Sequence, residues 1–260
     1  MREKNFSRFL QSLVLGIFLV FGVCSNIEAF DFSDWDTLVK KHVAPKTVDG
    51  VLINAVDYSN LKKDPLFSDL VSRLSFYSLK SLESRKSKMT FWINVYNILA
   101  AKMITDHYPI ESIKDAGSLF KSVWKQPAGK VGGKQQTLNI IEHEILRKMN
   151  EPRIHSAIVC ASVSCPDLRL EAYTIDKLNE QLDDQLEKFL LSREKGMKLD
   201  GKKNRVYLSS IFKWFKQDFE GKGGVIKYIS QYVTAEKKKV MNHAKLEIIY
   251  MDYNWNINGR

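Results

Sequence analysis

The chain predicts an α+β fold: a helix-rich single domain around a small sheet, preceded by a signal peptide. Apolar residues recur at helical spacing in five separate segments, whereas only three short stretches read as strand or hairpin. No internal repeat or low-complexity linker interrupts residues 30–260, so one domain is expected there.

The N-terminus sets the expected compartment. Arg2, Lys4 and Arg8 precede the apolar run Leu13–Cys24, LVLGIFLVFGVC. That run has the length of a signal-peptide core and falls short of the roughly 20 residues a spanning helix needs. Cleavage after Ala29 makes residues 1–29 a signal peptide and the protein exported, periplasmic or secreted. Membrane attachment follows only if this segment is retained or Cys24 is lipidated.

The remaining residues are enough to bury a core without covalent staples. The formal charge is +10 for the whole chain and +9 without residues 1–29. Its lysines and arginines are dispersed, in LKKD, ESRKSK, GKKNR and AEKKKV, beside acids or on turn-like segments. That pattern is a solvated surface, and with export it excludes nucleic acid as a partner.

In chain order, Ser33 is positioned to cap DWDTLVKKHV, and Pro65 after Asp64 opens PLFSDLVSRLSFY. A longer helix runs through MTFWINVYNILAAKMITDHY and stops at Pro109. Gly129, Gly132 and Gly133 in QPAGKVGGKQQ mark a hairpin or mobile loop and do not follow a phosphate-loop pattern. Thr137 opens LNIIEHEILRKM, with Pro152 beyond its end. RIHSAIVCA reads as a strand. Thr174 is expected to cap IDKLNEQLDDQLEKFLL, where Leu178, Leu182, Leu186 and Leu190 form an apolar face. MKLDGKKNRVYL reads as a hairpin turning at Asp200 and Gly201, and KLEIIYM as a last strand.

Two helices carry polar residues that their patterns do not explain. Between Phe91 and Ile104 nearly every residue is apolar, which predicts burial all round, yet Asn94 and Asn97 share one face. Buried amides must be hydrogen-bonded, either to tie down a neighbouring loop or to orient groups in a site. In IIEHEILR, Glu142 and His143 accompany Leu138, Ile141 and Ile145, which face the core. As an α-helix, this segment puts His143 about 200° round from Ile141 and one turn from Arg147.

HSAIVCASVSCP, residues 155–166, holds both cysteines of the expected mature chain. Strand alternation puts Ile154, Ser156, Ile158 and Cys160 on one face and His155, Ala157, Val159 and Ala161 on the other, so His155 and Cys160 diverge. SVSCPD is then a loop at the strand's end, where scaffolds display chemistry. CxxxxC with scattered histidines matches no standard zinc spacing, so neither a metal nor a cofactor is expected. A Cys160–Cys165 disulfide is favoured by export. It requires the loop to reverse without a glycine, because five extended steps span about 17 Å against the roughly 4.4–6.8 Å a disulfide allows. Free thiols are the alternative.

FWINVYNILAAKMI, TLNIIEHEILR, PRIHSAIVCASVSCPDLRLEAY, LSSIFKWFKQDF and YMDYNWNIN resemble, in that order, motifs of the domain of unknown function 547 family. The resemblance spans roughly residues 50–258. It implies no activity or substrate, but places Asn94, Asn97, Glu142, His143, His155, Cys160 and Cys165 within family motifs.

Two functions follow as expectations. One is a thiol-dependent hydrolase or acyl transferase in which Cys165 attacks a carbonyl, His143 or His155 acts as base, and Asn94 or Asn97 orients the imidazole or polarises the carbonyl, with Glu142 in the same constellation. The other is an exported binding module that holds a small molecule or protein in a cleft lined by Trp92, Tyr96 or Trp124, its cysteines joined in a structural disulfide.

Overall fold

A computed structural model describes residues 29–118 and 122–259. The expected signal peptide and Cys24 therefore lie outside the described residues, except for Ala29. Helices alternate with three small separate sheets where one small sheet was expected.

Helix α1 (Ser33–His42) leads into the antiparallel hairpin β1 (Val43–Val48) and β2 (Val51–Val56). Ser33 does not cap α1. Its backbone N–H and hydroxyl both donate to the Asp31 carboxylate two residues earlier. A short α2 (Tyr58–Lys63) precedes α3 (Pro65–Phe76), where Asp64 caps and Pro65 occupies the first turn, as expected.

The long helix α4 (Arg85–His107) is the axis of the larger core. From Met89 to Ala101 every side chain is buried, because α2, α3 and the segments Ile113–Ala116 and Ile140–Leu146 pack around the helix. The glycine segment forms the hairpin β3 (Gly129–Val131) and β4 (Lys134–Gln136). Gly132 and Gly133 make its turn with positive φ, which glycine adopts without steric cost.

Two elements depart from expectation near the cysteines. Ile140–Leu146 is π-helical, and the buried pair Ile141 and Leu146 is five residues apart, in step with i→i+5 bonding such as Arg147 N–H to Glu142 carbonyl. Glu142 is thereby drawn inside and Ile145 is only partly buried, unlike the α-helical reading. RIHSAIVCA is not a strand. Ile154–Ala157 forms one helical turn, α5, and the extended residues after it find no strand partner because the Asn97 amide takes their backbone groups.

Thr174 does not cap α6 (Leu178–Leu191) directly; Lys177 precedes its first turn, and the Thr174 hydroxyl accepts from the Lys177 N–H. The apolar face of α6 joins two cores. Leu178 and Leu182 pack with α4, whereas Leu186, Phe189 and Leu190 pack with the C-terminal part. There β5 (Met197–Asp200) and β6 (Arg205–Leu208) pair antiparallel across a turn at 201–204, longer than the expected one. α7 (Ser210–Trp214), a 3₁₀ segment Lys216–Lys222, α8 (Val225–Ile229) and α9 (Ala235–Met241) follow. The last strand, β7 (Glu247–Tyr250), adds parallel to β6.

Beyond β7 the chain returns to the first core as a strap. Val163 donates to the Asn256 carbonyl, and Asn258 donates to the Ala161 carbonyl. This strap carries Tyr253 and Trp255 to the cysteine loop.

Candidate functional site

Asn97 positions the cysteine loop from below. Its side-chain amide donates to the Ala157 carbonyl at 3.0 Å and accepts the Val159 N–H at 2.8 Å. Asn94 does the same one turn away for Tyr173, donating to its carbonyl at 2.8 Å and accepting its N–H at 2.9 Å. Both amides are occupied by backbone, and neither asparagine lines the cavity at the cysteines. Among the two accounts of these buried amides, they serve as loop clamps.

The loop reverses at Ala161, a non-glycine residue with φ of 64°, and the Cys165 N–H closes the turn on the Ser162 carbonyl at 3.0 Å. The reversal aims backbone at sulfur rather than sulfur at sulfur. Cys165 Sγ accepts the Cys160 N–H at 3.1 Å and the Ser162 hydroxyl at 3.3 Å, and lies 3.2 Å from the Tyr253 hydroxyl. Cys160 Sγ turns to Ser162 Oγ at 3.2 Å and Tyr253 Oη at 3.5 Å. Both cysteines are free thiols, so the disulfide alternative is corrected.

Burial alone would push the Cys165 thiol up. The hydrogen bonds from Cys160, Ser162 and Tyr253 outweigh it and bring it down to about 6, because donors aimed at sulfur stabilise the thiolate. Cys160 moves the opposite way, well above a usual thiol, through its hydrogen bond to Cys165 and through burial. Of the two thiols, Cys165 is the one whose surroundings favour the thiolate, and Cys160 the one whose surroundings favour the protonated form.

Cys165 opens onto a cavity of about 390 Å³. Glu142, His143, His155 and Cys160 line it too, together with Tyr96 and Trp124. Trp92 does not; it is buried in the core. The strand-based divergence of His155 and Cys160 therefore fails, since a helical turn brings both to one cavity.

Asp218 organises the histidines. It receives a bidentate pair of bonds from Arg147 Nε and Nη2, both at 2.7 Å, and sits 2.8 Å from His155 Nε2. Burial opposes its charge, yet the Arg147 and His155 bonds hold its carboxyl well below the usual range. Arg147 Nη1 lies 2.7 Å from His143 Nδ1. Guanidinium only donates, so Nδ1 is the acceptor and the neutral His143 carries its proton on Nε2. An ionised carboxylate only accepts, so His155 carries its proton on Nε2 and presents a lone pair on Nδ1. Burial lowers the pKa of both rings, with Arg147 adding to the effect at each. His155 is further fixed by stacking on Phe215, with ring centroids 4.1 Å apart.

Glu142 is buried, with the Tyr96 hydroxyl 3.3 Å from Oε2. Burial raises its pKa to about 7 against the opposing Tyr96 bond and Arg147 charge. Near neutrality it is therefore part protonated. The cavity wall is completed by Trp214, Phe215, Tyr253 and Trp255, the Trp214 and Trp255 rings stacking at 5.6 Å. Among the described residues, no three metal-binding side chains converge.

Residues 79–190 match the model of a family described as a protein of unknown function, DUF547. That segment resembles the DUF547 family. Neither a curated protein nor a solved structure gave a match. The DUF547 match includes Glu142, His143, His155, Cys160 and Cys165 but ends before Asp218 and Tyr253. Sequence reasoning missed Ser162, Asp218 and Tyr253 as site residues. Asp218 is the only acid of the quoted motif LSSIFKWFKQDF, whereas Tyr253 is one of two tyrosines in YMDYNWNIN.

Proposed function

We propose that this protein is a thiol-dependent hydrolase or acyl transferase with Cys165 as nucleophile. The observation that carries the reading is the set of three hydrogen-bonding groups around Cys165 Sγ at the wall of a cavity. A preorganised thiolate is the reactive form of cysteine.

In the proposed cycle, the Cys165 thiolate attacks a carbonyl carbon, the His143 Nε2–H supplies a hydrogen bond to the oxyanion, and the bond from that carbon to the leaving group breaks to give the thioester, the leaving group taking its proton from solvent. His155 Nδ1 takes up the proton of whichever nucleophile enters, water or an acyl acceptor, while Asp218 steadies the resulting imidazolium. The product acyl group leaves the sulfur and Cys165 returns as thiolate. Asn94 and Asn97 act through the loops they hold. The aromatic walls also suit a binding module, but such a module has no use for a stabilised thiolate in its cavity.

We also propose export, on the strength of the basic start and short apolar run within residues 1–29.

The test is turnover of a panel of activated aryl esters and anilides, with iodoacetamide labelling read by mass spectrometry. Labelling should fall on Cys165 at pH 7, and Cys165→Ser should reduce turnover by about 10³-fold or more. Turnover unchanged in Cys165→Ser would sink the proposal.

A further inference from the structure

Glu142 is the costliest group in the cavity. The residue is 7% exposed, and among the described residues no Lys, Arg or His lies within ion-pair distance of its carboxyl. Its one hydrogen bond is the long contact from Tyr96. A buried carboxyl left in that state is expensive unless something pairs with it. Arg147, the only lysine or arginine lining the cavity, is committed to Asp218 and His143 on all three of its nitrogens. The cavity thus holds a carboxyl and a thiolate with no cation of its own to spare, inside aromatic walls that favour a cation over their faces.

We infer that Glu142 is the seat for a substrate amine: the site takes primary amines as acyl acceptors, or the corresponding amides in the reverse direction. The chemical step rests on the reading of Cys165 as nucleophile, whereas the binding of an ammonium group does not. An entering R–NH₃⁺ gives one proton to the Glu142 carboxylate. The free amine then attacks the Cys165 thioester, the carbon–nitrogen bond forms as the carbon–sulfur bond breaks, and the sulfur leaves as thiolate. The second nitrogen-bound proton passes to His155 Nδ1. In the reverse direction, Cys165 displaces the amine from the amide as the His155 imidazolium returns a proton to its nitrogen, and the amine departs as an ammonium ion with a second proton from the Glu142 acid.

Binding an ammonium ion should pull the Glu142 proton off, which gives a readout independent of turnover. The other groups acting on Glu142 are Tyr96, Arg147, Cys165 and Asp218. Of these, Cys165 also titrates near neutrality, at about 6, so the measurement is made on the Cys165→Ser protein as well as on wild type. The probes are butylammonium and its neutral counterpart butanol, titrated calorimetrically at pH 7 in two buffers of different ionisation enthalpy.

Butylammonium should bind at least about tenfold more tightly than butanol and release about half a proton per site. In Glu142→Gln, which keeps the shape, that preference and the proton release should both disappear while Cys165 still labels with iodoacetamide. Equal binding of the two probes, absence of butylammonium binding at millimolar concentration, or an undiminished preference in Glu142→Gln would overturn the assignment. Failure of Cys165 to label or turn over would instead count against the nucleophile and leave the ammonium result standing.

Discussion

Arg147 donates to His143 at Nδ1 across 2.7 Å, four residues along a segment whose π-helical turn sets their relative position. Protonating Nδ1 would bring an N–H against a guanidinium that Asp218 holds in place. Burial, with the Arg147 charge adding to it, lowers the His143 pKa and so favours the neutral ring. Arg147→Gln removes the cation and leaves Asp218 without its bidentate partner, and both changes favour imidazolium. The His143 pKa, followed by NMR of the imidazole carbon-bound protons, should rise in this variant; an unchanged or lower value would refute the tautomer assignment.

The Cys165 thiolate depends on donors from three places: the Cys160 backbone, the Ser162 side chain and the C-terminal strap. Alkylation of Cys165 as a function of pH should show a midpoint near 6 in the wild-type protein. Tyr253→Phe removes one donor without altering the ring, and should raise the midpoint by about one pH unit, since a hydrogen bond to a charged group is worth about 1.5–3 kcal/mol. A midpoint that does not move would mean that Tyr253 accepts rather than donates.

Asn94 and Asn97 predict a stability effect. Each closes a two-bond clamp on a distant backbone segment inside the core. Asn94→Ala and Asn97→Ala should each cost about 1–3 kcal/mol in denaturant melts, because a buried carbonyl and N–H lose their partners. Asn97→Ala should also slow Cys165 alkylation, since its clamp holds the backbone leading to the loop; Asn94→Ala should leave it unchanged. Melts identical to wild type would contradict the clamp assignment.

How far the sequence foretold this arrangement differs by residue. The burial of α4 and the need of Asn94 and Asn97 for partners were readable, because an apolar surface on every side of a helix admits polar groups only when they are satisfied. The hairpin at Gly132 and Gly133 was readable from its turn residues. The π-turn at Glu142 was not, since it changes the angular offset of every following side chain without any local composition signal. Nor was the loss of the strand before Cys160: alternation in RIHSAIVCA is satisfied there by one helical turn and an extended stretch whose backbone bonds go to a side chain. Asp218 and Tyr253 come from elements 53 and 88 residues beyond Cys165, and only the fold of the strap and the 3₁₀ segment brings them to the site.

Glu142 offers the sharpest thermodynamic prediction. Below pH 4.5 its carboxyl is protonated whether the chain is folded or unfolded, so it contributes no pH dependence. Between 4.5 and about 7 the folded protein holds a proton that the unfolded chain has released, and stability must fall as pH rises. Above 7 the folded carboxyl is ionised as well, and the full cost, about 3 kcal/mol, is reached and stays constant. Cys165 works in the reverse sense from about 6 upward, since its folded pKa is lowered, and its charge also acts on Glu142. The comparison is therefore made in a Cys165→Ala background. Glu142→Gln removes the titrating group but keeps its volume and a hydrogen-bonding partner for Tyr96. The stability gained on this substitution should be small at pH 4.5, grow through pH 7 and level off above it, as read from urea melts across that range. A gain that does not vary with pH would mean that the Glu142 carboxyl ionises at its ordinary value, and that the cavity already supplies the cation we assign to the substrate.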